Sequence, residues 1–396
     1  MHYALCVSSF HSSRARLLSI VFLCALIAVC VIPRARAGAD ATPKTEAATT
    51  LKNRQPQPTY SVIAGIDGDI FPVFANYFAF QKQAERQLGT ITLTIRNSSD
   101  KLLQSRIAVR VPGWSDEEVQ YVEVAAGQVR NVQFAPTFLP RFYRNREIAP
   151  ASVAVAISDM GGKPVWSATI PVRLRSADDM YWGRNFEYSN FIASWITPHD
   201  PNVEMILSRA KNLMPGRRLP GYETWRTNGV QEKTTYLQAK AIYQAIQREG
   251  LSYVKSSSTL GAQTNSDITE RVRMPGESLR QLSANCIDGV VLYASLFENL
   301  GMEPVVVLIP GHAYVGVRLS PDSDRYLYIE TALTGRTSFE AAVQSAGSGM
   351  QKHAASETIR VRVTKARQAG IYPMQSPDLQ DQGSPRVLQS ASSGQN

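Results

Sequence analysis

The spacing of apolar residues changes once along this chain, near residue 176, and the change demands two kinds of layer joined in sequence. From Tyr60 to Arg175 the period is two. In "ITLTIRNSSD", Ile91, Leu93 and Ile95 fall on one side of a strand and Thr92 and Thr94 on the other. "IAVRVPG" repeats the alternation with Ile107, Val109 and Val111, and "SVAVAISDMGGKPVWSATIPVRL" predicts two strands around a Gly161-Gly162 turn. Short strands with turns at this spacing predict an immunoglobulin-like β-sandwich over residues 60–176. This half carries no catalytic constellation, so its expected role is to position, shield or bind. The Asn-Ser-Ser triplet at Asn97 matches a glycosylation sequon in a turn.

Beyond Tyr181 the spacing becomes helical. "DPNVEMILSRAKNL" has Asp200 as N-cap and Pro201 at the first helical position, with Val203, Ile206, Leu207 and Ala210 on one face. "TTYLQAKAIYQAIQREG" predicts a second helix, with Leu237, Ala241, Ile242 and Ala245 inward and Gly250 past its end. Residues 251–278 are polar and irregular, a loop expected over a site. A third helix is predicted over 284–300, with Ser283 as its cap and Gly301 ending it. "PVVVLIP", "HAYVGVRL" and "YLYIETAL" then predict three strands. Residues 177–373 are thus one α+β unit in which a helix is followed by antiparallel strands.

The ends have other jobs. Arg14 and Arg16 precede a 16-residue apolar run, Leu17 to Ile32, and Ala35–Ala37 gives a small-x-small cleavage pattern. That is an export signal over residues 1–37, since a spanning helix needs about 20 apolar residues; an uncleaved signal anchor is the alternative. The expected location is periplasmic or extracellular, with no integral membrane segment left after cleavage. Residues 38–59 predict a disordered leader and 374–396 a disordered tail. Removing residues 1–37 takes away four arginines and no acid, so the charge falls from +9 to +5. With no dense Lys/Arg run, nothing points to nucleic acid.

Cleavage also removes Cys6, Cys24 and Cys30 and leaves Cys286 without a disulfide partner. A lone cysteine is most often a small buried apolar side chain. Here it sits in the first turn of the third helix, where the helix dipole favours thiolate and free N–H groups suit a developing oxyanion. Asp288 in the same turn suits that dipole. A cysteine nucleophile needs a base. Of the five histidines, His2 and His11 lie in the signal, His199 before a helix and His353 near the tail, which leaves His312 at the start of the second strand. An antiparallel return through "SPDSD" sets His312 opposite Glu330 or its neighbour. Cys286, His312 and Glu330 then supply nucleophile, base and orienter. Tyr314 and Tyr328 are cleft candidates or packing aromatics. One cysteine and no clustered histidines fit no zinc spacing, and no cofactor is called for.

"NCIDGVVLYASLFENLGMEPVVVLIPGHAYVGV" followed by "YLYIETAL" resembles the transglutaminase-like superfamily, with its papain-like core, in the order and spacing of Cys, His and acid. "MPGESL" resembles the family's lead-in to the cysteine, and "AKAIYQAIQREGLSYV" the helix before it. The resemblance covers Ala239 to Leu333. It implies a papain-like core with Cys286 as nucleophile, His312 as general base and Glu330, where many members have Asp, as orienter. Asn285 is the oxyanion candidate beside Tyr314 in the cleft. The expected activity is that of an exported cysteine hydrolase or peptidase, cutting a peptide or isopeptide bond of an envelope protein through a thioester. The alternatives are amine transfer to a protein glutamine and a catalytically silent envelope binding module.

Overall fold

The computed structural model describes residues 57–81, 90–223, 228–255 and 268–374. The expected signal, and nearly all of the expected leader and tail, lie outside the described residues; Met374, expected to open the tail, is buried and donates its N–H to the Ser194 carbonyl at 2.8 Å. The first part of the fold holds β1 (Thr59–Ala64), β2 (Asp69–Ile70), β3 (Ile91–Arg96), β4 (Leu103–Arg110), β5 (Glu118–Val124), β6 (Val129–Phe134), β7 (Ala149–Ser158) and β8 (Pro164–Leu174). A three-stranded sheet runs in the order β1-β3-β6 and a five-stranded sheet in the order β2-β8-β7-β4-β5. All pairings are antiparallel except β2 beside β8.

Alternation decides which side chains go inside. Ile91, Leu93 and Ile95 of β3 are fully buried. Thr92 and Thr94 between them turn away and bond Gln133 and Asn131 at 2.8 Å each. Ile107, Val109, Val153 and Val155 of the larger sheet join the same apolar cluster, so the two sheets share one core. Asn97 is fully buried and donates to the carbonyls of Lys101, Val124 and Ala125. Its triplet is therefore a structural turn, with the amide nitrogen committed to backbone.

The sequence pattern predicts strands alone across 60–175, and at two places among the described residues the chain departs from it. Pro72–Ala79 forms helix α1, with Pro72 at its first turn. Phe71, Phe74 and Phe78 leave the sheet core and join the apolar cluster of the second part. Phe74 packs edge-on to Phe191 at 4.9 Å and to Tyr188 at 5.3 Å. Eight residues at helical spacing are too few to stand out against strands on both sides. α2 (Pro140–Tyr143) is a single turn.

The second part begins with β9 (Asp179–Gly183), α3 (Pro201–Ala210) and α4 (Asn228–Arg248). β10 (Ser252–Tyr253), β11 (Ile268–Arg271), α5 (Pro275–Gln281), β12 (Ser283–Ala284) and α6 (Cys286–Asn299) follow. The expected loop over 251–278 therefore contains two short strands and the start of a helix; β10 pairs parallel with β12, and β11 antiparallel with β9. Residues 256–267 of that segment lie outside the described residues. β13 (Pro304–Ile309), β14 (His312–Arg318), β15 (Tyr326–Ile329), α7 (Phe339–Met350), β16 (Ile359–Arg362) and α8 (Val363–Gln368) complete the chain.

Strands β15-β14-β13-β16 make a four-stranded antiparallel sheet. Val306, Leu308 and Val315 join the cluster that includes α6, while Val305, Val307 and Tyr314 pack with Ala346 of α7. A sheet covered on both faces reads as a continuous apolar run, which "PVVVLI" is. An ionic cluster ties the two parts together. Arg146 reaches Asp178 at 2.7 Å and Glu277 at 2.8 Å, and Arg271 reaches Asp178 at 3.2 Å and the Arg146 carbonyl at 3.2 Å. Burial pushes the Asp178 carboxyl up, and Arg146 pulls it back. Among the described residues, no helix is long and apolar enough to cross a membrane.

Candidate active site

Helix α6 starts at Cys286, a half-buried free thiol. Its cap is Asn285, not the predicted Ser283, which instead lies in β12 opposite Ser252. Asn285 Oδ1 accepts the Asp288 N–H at 2.8 Å, and the Asp288 carboxylate accepts the Asn285 N–H at 3.1 Å. This reciprocal box fixes the angle at which the chain enters the helix. Asp288 also accepts the Arg273 N–H at 2.8 Å. Burial pushes its carboxyl up, and these backbone donors pull it back. The box uses the N–H groups of Asn285 and Asp288 and leaves those of Cys286 and Ile287, at the end of the helix that favours negative charge.

His312 is the first residue of β14, and its Nε2 lies 2.6 Å from Glu330 Oε2. Glu330 falls one residue beyond β15. It accepts the Ala332 N–H at 3.0 Å through Oε1 and so caps the short turn Thr331–Leu333. The β14–β15 register pairs Val315 with Ile329 and Gly316 with Tyr328. Continued, it sets Glu330 level with Tyr314 and puts His312 one diagonal step away on the same side, not directly opposite. A hydrogen-bond contact with the Cys286 side chain, and then the one with Glu330, raise the His312 imidazole from 6.5 to about 10 against the opposing effect of burial. With Nε2 on the carboxylate, Nδ1 is the nitrogen that remains for the sulfur. The structure thus brings Cys286, His312 and Glu330 into one connected group.

The two supplementary candidates occupy different positions. Asn285 is buried, and its side-chain oxygen is engaged as the helix cap. Tyr314 is buried as well, with its ring edge-on to His312 at a centroid distance of 4.8 Å, and it packs with Val305, Val307 and Ala346. It buttresses the imidazole from within the sheet. His199 is exposed, 4.0 Å from Glu204.

Three residues at the site escaped sequence reasoning. Tyr253 is 40% exposed and pairs with Ala284, two residues before Cys286. Burial first, and then the electrostatic influence of Cys286, Glu330 and Asp288, raise its phenol above the ordinary value. Nothing in the polar stretch around it marked this tyrosine. Glu270 lies behind the helix start; burial, and next Asp288, push its carboxyl up to about 7 while Trp182 pulls it back. Gly289 sits within α6 against Thr331. A glycine inside an otherwise apolar helix was a usable signal, because it costs about 1 kcal/mol relative to alanine and implies a close neighbour.

This arrangement can do nucleophilic acyl chemistry. A thiol acts on an imidazole, a carboxylate 2.6 Å away orients that imidazole, and a helix N-terminus begins at the cysteine. Among the described residues, no cluster of three or more His, Cys, Asp or Glu is arranged to hold a metal ion.

Comparisons with known proteins add little to this geometry. No family profile matches the chain, and no curated protein matches it. Among solved structures, a FixG-related protein from Vibrio parahaemolyticus is similar at 15% identity, over 31% of this chain and 97% of that one, with a TM-score of 0.18.

Proposed function

We propose that this chain is an exported cysteine-dependent acyl-transfer enzyme of transglutaminase-like type that hydrolyses a peptide or isopeptide bond in an envelope protein. The observation that carries the proposal is the His312 imidazole, 2.6 Å from the Glu330 carboxylate and raised by the Cys286 side chain. An imidazole raised to about 10 binds a proton tightly at neutral pH, so it can take the proton of the Cys286 thiol and keep it until an amine departs. The sulfur attacks the scissile carbonyl carbon, and the new oxyanion lies beside the N–H groups at the start of α6. As the C–N bond breaks, His312 gives its proton to the departing amine, and a thioester remains on Cys286. His312 then takes a proton from water, the hydroxide displaces the sulfur, and the carboxylic acid leaves.

The test uses iodoacetamide and an envelope-protein digest. Cys286 in the folded chain is expected to alkylate faster at neutral pH than in the urea-unfolded chain. New peptide termini are expected in the digest with the native protein and none with Cys286→Ala. Incorporation of a labelled primary amine without new termini would move the assignment to amine transfer. Slow alkylation together with identical digests would leave a binding module.

A further inference from the structure

The nucleophile and the acid sit on different elements, and one contact point joins those elements. Glu330 leads into the turn Thr331–Leu333, which lies along α6. The Thr331 hydroxyl donates to the Cys286 carbonyl at 3.3 Å. One helical turn on, Gly289 has no side chain, and a Cβ built there would lie 2.6 Å from Thr331 Oγ1 and 2.9 Å from Thr331 Cβ. Farther along, the buried Tyr293 hydroxyl meets Thr334 Oγ1 at 2.9 Å, and Thr334 in turn donates to the Thr331 carbonyl at 2.8 Å. Positions 286, 289 and 293 share one helix face. From α4, the Tyr243 hydroxyl donates to the Leu333 carbonyl at 2.9 Å. The turn is held from two helices, and at Gly289 it lies so close that a Cβ would force a shift.

We infer that Gly289 and Thr331 are positioning residues whose contact sets the distance from the Cys286 sulfur to the His312–Glu330 pair. The inference rests on the cysteine–base function proposed above. Glycine inside a helix weakens it, so helix stability does not account for Gly289. Thr331 is branched at Cβ and cannot swing a flexible end out of the way. With alanine at 289, the turn must retreat by about 1 Å to regain ordinary van der Waals distance. Glu330 is its neighbour and moves with it. A shift of that size in a catalytic group costs on the order of 100-fold in rate.

The experiment compares the full chain with Gly289→Ala, Thr331→Val and Thr331→Ser. Two measurements are made on each: the iodoacetamide alkylation rate of Cys286 at neutral pH, and the titration of the His312 Cε1–H resonance by NMR. Gly289→Ala is expected to alkylate about 10- to 100-fold more slowly, with the His312 titration moved toward that of a free histidine. Thr331→Val is expected to change both in the same sense by less, and Thr331→Ser, which keeps the hydroxyl, to restore both. A folded Gly289→Ala with the native rate and native titration overturns the inference. Should Gly289→Ala not fold, native behaviour in Thr331→Val overturns it instead. A native thiol no faster than the unfolded one counts against the proposed function, while the resonance still reports whether this contact sets the geometry.

Discussion

Replacing Glu330 by glutamine keeps the side chain's shape and removes its charge. Its carboxylate oxygen lies 2.6 Å from His312 Nε2. A hydrogen bond to a charged group contributes about 1.5–3 kcal/mol, and one between neutral groups about 1. The His312 side chain is 26% exposed, so solvent screening places the loss toward the lower end. Losing about 0.5–1 kcal/mol of preference for the imidazolium lowers its midpoint by roughly 0.4–0.7 pH units. The native midpoint is about 10. Because the folded imidazole binds its proton more tightly than the unfolded one, the stabilisation is complete below 6.5 and disappears as pH rises through about 10. Glu330→Gln therefore narrows that window from its alkaline side. The assay is NMR of histidine labelled with carbon-13 at Cε1, with the His312 resonance assigned by its absence from His312→Ala, and thermal unfolding measured in parallel. Cys286→Ala is expected to lower the midpoint further than Glu330→Gln, since the sulfur contact is the larger cause. An unchanged midpoint in Glu330→Gln would refute the carboxylate's role, and an unchanged midpoint in Cys286→Ala would refute the sulfur contact.

Glu270, raised to about 7 by burial and by Asp288, contributes stability that is complete below 4.5 and lost as pH rises through about 7. Glu270→Gln should remove that decline and raise stability by about 3 kcal/mol in mild alkali, as read by urea unfolding at several pH values; an unchanged pH dependence would contradict it. Asn285→Ala should cost about 1 kcal/mol of stability by stripping the Asp288 N–H of its cap. A loss of turnover well beyond what that loss explains would assign Asn285 a part in the reaction. Tyr253 places an exposed ring beside the nucleophile. An N-benzyl haloacetamide is therefore expected to alkylate Cys286 several-fold faster than iodoacetamide, with the advantage lost in Tyr253→Ala, because an aromatic contact contributes about 0.5–1.5 kcal/mol. Equal rates for the two probes on the native protein would sink this prediction.

Periodicity was enough to place α6 within two residues of its observed start and to put His312 at the head of a strand, because both depend on local patterns. The cap was misplaced by two residues. Ser283 and Asn285 are both good caps, and what decides between them is β12, whose pairing with β10 holds Ser283 extended. Helix α1 was not legible, since its phenylalanines answer to a distant aromatic cluster and not to their own neighbours. The expectation that His312 stands opposite Glu330 or its neighbour misses the register, which sets Glu330 level with Tyr314, two residues on; the strand ends at Ile329 and the side chains meet diagonally. Tyr253 and Glu270 owe their interest to charges remote in sequence, which no local window contains.

The buried Asp178 has consequences for how this chain can be cut or recombined. Its partner Arg146 comes from the sheet-rich first part, and the same guanidinium holds Glu277 at the start of α5, just ahead of the cysteine. A fragment that begins after residue 176 would carry Asp178 without that arginine and without the phenylalanines of α1. Removing one partner from a buried ion pair costs about 3–5 kcal/mol; Arg271, which stays 3.2 Å from Asp178 in such a fragment, offsets part of that loss. The first part thus supplies one of the two arginines on Asp178 and the one that holds Glu277. Homologous chains that keep this cysteine unit while exchanging the sheets would have to replace Asp178 as well.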